Sequence, residues 1–232
     1  MPGPQTVKDY ADSVPDDFLF TIKAPNSITL THFYAKQPSA YKEYANRLNP
    51  HFLDVDLLNR FLEMLEPMKG KLGPVMFEFE YLNKKKMPSK KAFIDRLDAF
   101  FEQAPKGFDY AVETRNPNYL TEDLFGFLKG RGLGFVMLEG YYMPPVADIA
   151  VEHDVRTADF SIVRLHGPDR QAIEARTGGL WGEIVDPKDN GLKATASIIG
   201  QNTGKGITTF VNVNNHYEGS VPLTIQRFLK FL

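Results

Sequence analysis

Six short apolar runs limit what this chain can become, because each ends beside polar or charged residues and most are followed by a stretch of helical periodicity. They cover residues 18–23, 74–79, 109–114, 133–138, 160–165 and 208–213. Runs of this length, rich in β-branched and aromatic residues, read as buried strands. Strands that alternate with helices through short links pair in parallel with right-handed crossovers, so the fold class is α/β. The most telling run is Phe160-Ser-Ile-Val-Arg-Leu-His-Gly167, where an alternating apolar segment delivers a guanidinium and an imidazole at its C-terminal end. That is the pattern of a strand in a parallel barrel that carries chemistry at its mouth.

The intervening segments carry helix signals. Residues 4–14 place Val7, Tyr10, Ala11 and Val14 at helical spacing behind Pro4, with Pro15 as a stop. Asp54 is positioned to cap a helix whose stripe is Val55, Leu58, Phe61, Leu62 and Leu65. Ser89 does the same for Phe93, Leu97, Phe100 and Phe101, and Thr121 for Leu124, Phe125 and Leu128, with Gly130 or Gly132 at its end. Residues 222–232 read as a last helix. The segment after residue 138 is a Pro-rich connection, and 167–206 is a long connection holding the sole tryptophan, Trp181. Residues 83–91 form a basic loop.

Composition narrows the function classes. At 232 residues, 43% hydrophobic and 24% charged, the chain suits one soluble globular domain over 1–232. A formal net charge of −2 argues against a nucleic-acid binder held by bulk electrostatics, while leaving room for a local basic patch. With no cysteine, any nucleophile is an oxygen or a nitrogen. No segment nears the roughly 18 apolar residues of a membrane span, and the N-terminus lacks a basic region followed by an apolar core, so a cytoplasmic location is expected.

Several ordered motifs point to a family. P-x-T-V at residues 4–7, P-D-D-F-x-F-x-x-K-A-P at 15–25, Thr31-His32, L-G-P-V-x-F at 72–77, Y-A-V-E-x-R-x-P at 110–117, T-A-D-F-x-x-V-R-L-H-G at 157–167 and V-N-N-H-Y-E-G at 213–219 resemble the DUF72 (YecE-like) family. The resemblance runs over nearly the whole chain and implies a TIM barrel. Such a barrel has eight strands and about 250 residues. Six are legible here, so the expectation is a barrel short of about two N-terminal β/α units, and extending the sequence upstream is expected to add roughly 40–55 residues with two further strands, from ordinary βαβ unit lengths. An open sheet edge of that kind invites pairing with a second copy of the chain.

In a parallel barrel the reactive residues come from strand C-termini and the loops after them. Glu113 and Arg115 share a face by period two, as do Arg164 and His166. Arginine suits phosphate or carboxylate, and histidine is the usual proton carrier near neutral pH. Glu113, Arg164 and His166 are therefore the catalytic candidates. Lys23, His32, Arg115, Asn214, Asn215 and His216 are the substrate-binding candidates. For each a structural reading stands beside the functional one: a buried ion pair for Glu113, a backbone-bonded histidine for His166, a turn for Asn214 to Gly219. A divalent metal would have to be assembled across strands from His32, His166, His216, Glu78 and Glu113, since no H-E-x-x-H motif is present. Two functions fit: a hydrolase of the phosphoesterase kind acting on an anionic substrate, or a non-catalytic protein that binds a small ligand or nucleic acid at the same mouth.

Overall fold

The computed structural model describes residues 3–36, 39–167 and 169–232. Among these are strands β1 (Phe20–Lys23), β2 (Leu72–Glu78), β3 (Tyr110–Glu113), β4 (Gly134–Gly140), β5 (Phe160–Gly167) and β6 (Thr208–Val213). The strand order in the sheet follows the chain from β1 to β6. Helices alternate with the strands: α1 (Pro4–Asp12), α2 (Asn26–Thr29), α3 (Val55–Met64), α4 (Lys90–Gln103), α5 (Glu122–Arg131), α6 (Val146–Glu152), α7 (Arg170–Thr177), α8 (Asp189–Thr203), α9 (Asn215–Glu218) and α10 (Val221–Phe228). This is an α/β fold of the TIM-barrel kind with six parallel strands. Each strand lies where the apolar runs predict it. The chain clusters into two compact units, Met1–Val112 and Glu113–Leu232.

In the first unit β1 and β2 pair in parallel, with Ile22 opposite Val75 and Lys23 opposite Met76. Five of the seven residues of β2 are buried, as in a strand covered on both faces. Phe77 is held edge-on by Phe100, Phe101 and Tyr110 at centroid distances of 5.5, 5.1 and 5.7 Å, and Phe79 meets Phe93 at 5.1 Å. Such aromatic pairs add about 0.5–1.5 kcal/mol each beyond the area they bury. They explain why α4 carries Phe93, Leu97, Phe100 and Phe101 on one face. The Lys71 ammonium donates to the Ala11 and Val14 carbonyls, both at 2.9 Å, and so closes the C-terminal end of α1 with a cation.

In the second unit β4, β5 and β6 pair in parallel, with Ile162 between Val136 and Phe210 and Leu165 opposite Val213. Phe125 on α5 packs edge-on against Phe135 at 5.0 Å and stacks on His153 at 4.7 Å. His153 is thus part of the packing. The Pro-rich connection and the long connection both contain helices. α6 is a seven-residue helix within the Pro-rich link, and α7 and α8 lie within the long one. Their apolar stripes are thin: α7 buries only Ile173 and Thr177. Among the described residues no helix is long and apolar enough to cross a membrane.

Candidate functional site

The second unit brings together most of the sequence candidates. Glu113 ends β3 and is fully buried, and Arg115 follows two residues later. On β5 the half-buried Arg164 and His166 alternate with the buried Leu165. The β4–β5 register slips after Glu139: Leu165 faces Glu139 and Gly167 faces Gly140, so His166 is the extra residue of a bulge. A bulge re-aims one side chain without ending the pairing. The slip brings two backbones unusually close. A Cβ on Gly140 would lie 2.3 Å from the Gly167 carbonyl oxygen, and a Cβ on Gly167 2.2 Å from that of His216. Only glycine lets the segments after β4, β5 and β6 stack in this way.

A chain of contacts runs through the side chains. Glu113 Oε2 accepts a hydrogen bond from Arg164 Nη1, and Glu113 Oε1 lies 3.6 Å from Arg115 Nε. The Arg115 guanidinium sits over the Tyr141 ring, 4.1 Å from its centre. The Tyr141 ring centre is in turn 4.4 Å from that of His166, with its hydroxyl 3.5 Å from His166 Nε2. The His166 and His216 rings are nearly parallel, 15° apart in orientation and 6.4 Å between centres. His216 meets Trp181 edge-on at 5.1 Å, and its Nε2 lies 3.3 Å from Glu174 Oε1. Glu174 Oε1 also accepts from Arg170 Nε at 2.7 Å. The Arg170 hydrogen bond, aided by that from His216, holds the Glu174 carboxyl below the usual carboxylate range against a smaller opposing effect of burial. Glu174 is therefore ionised beside His216 at neutral pH.

An open cavity of about 720 Å³ lies against this end of the chain of contacts, lined among others by Arg170, Glu174, Trp181, Asn214, Asn215 and His216. The volume falls within the roughly 300–1,000 Å³ of small-ligand sites. The two asparagines line it while holding backbone: Asn214 Oδ1 accepts from His216 N and caps α9, and Asn215 Oδ1 accepts from Val221 N and starts α10. The turn reading and the binding reading of these residues thus coexist. Glu218, by contrast, is fully buried and accepts from Lys188 N at 2.6 Å, a structural role.

Lys23 and His32 belong to the first unit. Lys23 Nζ pairs with Glu78 Oε2 at 3.2 Å, and His32 lines a different cavity. Among the described residues no three His, Asp or Glu side chains gather as a metal site would require. Four residues escaped the sequence reading: Tyr141, Arg170, Glu174 and Trp181. Tyr141 and its neighbour Tyr142 are both left-handed, at φ 50° and 64°, which bulky residues adopt only when their surroundings hold them. The pair Arg170 and Glu174 had a signal in its i,i+4 spacing behind Asp169, whose side chain caps α7 by accepting from Ala172 N.

Comparison with known proteins agrees with this fold. The family model for DUF72, a protein family of unknown function, matches residues 1–232. A crystal structure of a DUF72 family protein from Thermotoga maritima is similar, with a TM-score of 0.67, at 22% identity over 99% of this chain and 79% of the other. A DUF72 family protein from Enterococcus faecalis is similar with a TM-score of 0.68, at 17% identity over 100% of this chain and 80% of the other. No curated protein matches.

Proposed function

Since the chain belongs to the DUF72 family, whose name assigns no reaction, we propose on the chemistry of its own residues that it is a hydrolase of the phosphoesterase kind, acting on a small anionic ester in the cavity beside His216. The observation that carries this reading is the pair of imidazoles. His166 and His216 stand with ring centres 6.4 Å apart, each tied to a different partner, the Tyr141 hydroxyl and the Glu174 carboxylate. Two acid/base groups that flank a reacting centre need this difference of environment, because one must take a proton while the other gives one.

The ionised Glu174 lies against His216 Nε2 and orients its ring, and His216 takes the part of base. His216 takes a proton from water as the water oxygen attacks phosphorus. The ester P–O bond breaks, and His166, starting protonated, gives its proton to the leaving oxygen. The products are phosphate and an alcohol, and exchange with solvent restores the two imidazoles. Arg164, oriented by the buried Glu113, and Arg170 at the cavity wall would neutralise the anion. Glu113 acts here as a positioning residue for Arg164.

The test combines calorimetry with inorganic phosphate and turnover of an aryl phosphate ester by the parent, His166→Gln and His216→Gln. Each variant should keep phosphate binding within about threefold and lose roughly 100-fold or more in kcat, the usual size of a general acid or base contribution. Full turnover in both variants would overturn the assignment. Phosphate binding with no turnover of any ester by the parent would replace it with the non-catalytic binding reading.

A further inference from the structure

The first unit holds a cavity that the reaction above does not use. Its volume is about 580 Å³, and its lining includes His32, Phe33, Tyr34, Asn46, Lys85 and Lys86. Two loops build it. On one side the backbone is fastened by an antiparallel bridge between His32 and Leu48, by Phe33 N donating to Arg47 O at 2.9 Å and by Asn46 N donating to Phe33 O at 3.2 Å. Asn46 sits at φ 60°, which asparagine tolerates, and Phe33 packs edge-on against Tyr44 at 5.7 Å. The aromatic wall is therefore fixed by its own backbone.

On the other side the lysines are displayed on a turn. Asn83 Oδ1 accepts from the backbone N–H of Lys85 at 3.0 Å and of Lys86 at 3.2 Å, and Met87 anchors the loop beneath at 2% exposure. Residues 81–91 carry Lys84, Lys85, Lys86, Lys90 and Lys91 and no acid. Lys86 is steadied by Glu80 at 2.6 Å, and Lys91 by Asp95 at 2.7 Å. Lys84 and Lys85 are exposed and have no acidic partner among the described residues. Tyr34 and Tyr81 remain 48% and 59% exposed.

Flat rings beside ammonium point charges and side-chain amides are the elements that recognise a nucleotide. Rings stack on the base, lysines meet the phosphate, and amides reach the base edge. We propose that this cavity binds one nucleotide, with phosphate at Lys85 and Lys86 and the base against Phe33 and Tyr34. The proposal stands independently of the phosphoesterase reading. The same chemistry is offered by a free nucleotide and by one residue of a single strand, and a cavity of this size takes one such unit.

The experiment titrates the whole chain with AMP, with ribose 5-phosphate and with a fluorescent six-residue oligoadenylate, for the parent and for Lys85→Glu, Tyr34→Ala and Lys91→Glu. AMP should bind, and bind at least tenfold more tightly than ribose 5-phosphate. Lys85→Glu and Tyr34→Ala should each weaken AMP by about tenfold or more, near the effect of one base stack. Lys91→Glu, outside the cavity lining, should change it less than threefold. Oligoadenylate that binds more tightly than AMP and is displaced by it assigns the site to a strand; AMP tighter than oligoadenylate assigns it to a free nucleotide. The proposal is overturned if AMP and oligoadenylate both fail to bind at millimolar concentration. Equal weakening by Lys85→Glu and Lys91→Glu overturns it too, since that would reflect bulk charge alone.

Discussion

At the scale of single residues the second unit is most constrained where it has no side chain. Gly167 combines a φ of 84° with a Cβ position 2.2 Å from the His216 carbonyl oxygen, and backbone rather than a movable side chain is what would have to give. A left-handed non-glycine residue alone costs on the order of 1–3 kcal/mol, and the overlap adds to it. Gly167→Ala should therefore lose at least about 3 kcal/mol in urea denaturation, as a lower midpoint at unchanged slope. A loss under about 1 kcal/mol would mean that the segments after β5 and β6 slide apart easily. His166, the bulge residue next to this contact, would then lack the fixed bearing that its proposed role requires.

At the scale of elements, caps decide where helices begin. Asp54 Oδ1 accepts from Leu57 N at 2.9 Å while Oδ2 lies 2.8 Å from His51 Nδ1. The His51 hydrogen bond, followed by that from Leu57, holds the Asp54 carboxyl below its ordinary value of 3.8. A lowered carboxyl contributes stability that is present above its ordinary value and lost as pH falls through the folded one. Asp54→Ala should cost about 1 kcal/mol at pH 7, and thermal melts of parent and variant should converge near pH 2. Such caps were legible in sequence because each is a local contact: Asp54, Ser89 and the left-handed Gly132 all stand where the spacing puts them. Strands β2 to β5 were legible because most of their residues are buried, whereas β1 and β6, which bury none fully, were legible from their apolar runs alone. α8 was not, because its buried face is Leu192, Thr195, Ala196, Ile198 and Asn202, too polar to show a stripe. The same divide runs through the candidate site. Glu113, Arg164 and His166 follow from alternation on strands, whereas Tyr141, Arg170, Glu174 and Trp181 sit on loops and short helices that only tertiary packing brings to the chain of contacts around His166 and His216.

At the scale of the whole molecule, pH acts through carboxyls shifted in opposite directions. Asp54, Asp154 and Glu174 are held low by hydrogen bonds and cationic partners, so the stability they contribute fades as acid protonates them. Glu139 is pushed above its ordinary 4.5, first by burial, against the pull of its hydrogen bond from Val146 N at 2.8 Å. The sign is reversed for a raised carboxyl: the folded state binds the proton more tightly, so stability falls as pH rises from 4.5 through the folded value. Glu139→Gln keeps an oxygen for Val146 and removes the charge. Its melting temperature should exceed the parent's by a few degrees at pH 8, an excess that vanishes at pH 4. An equal gap at both values would mean that burial of this carboxylate costs the fold nothing.

Tyr141 and Tyr142 show what the left-handed turn after β4 asks of a lineage. Position 142, whose ring is 90% exposed, offers an easy gain to any drift toward glycine or asparagine, since either relaxes the backbone and gives up no packing. Position 141 offers the same relaxation but would lose the ring between Arg115 and His166. Two adjacent codons thus face different pressures: heat resistance alone would erase both tyrosines, while any advantage drawn from His166 would defend the first and leave the second to chance.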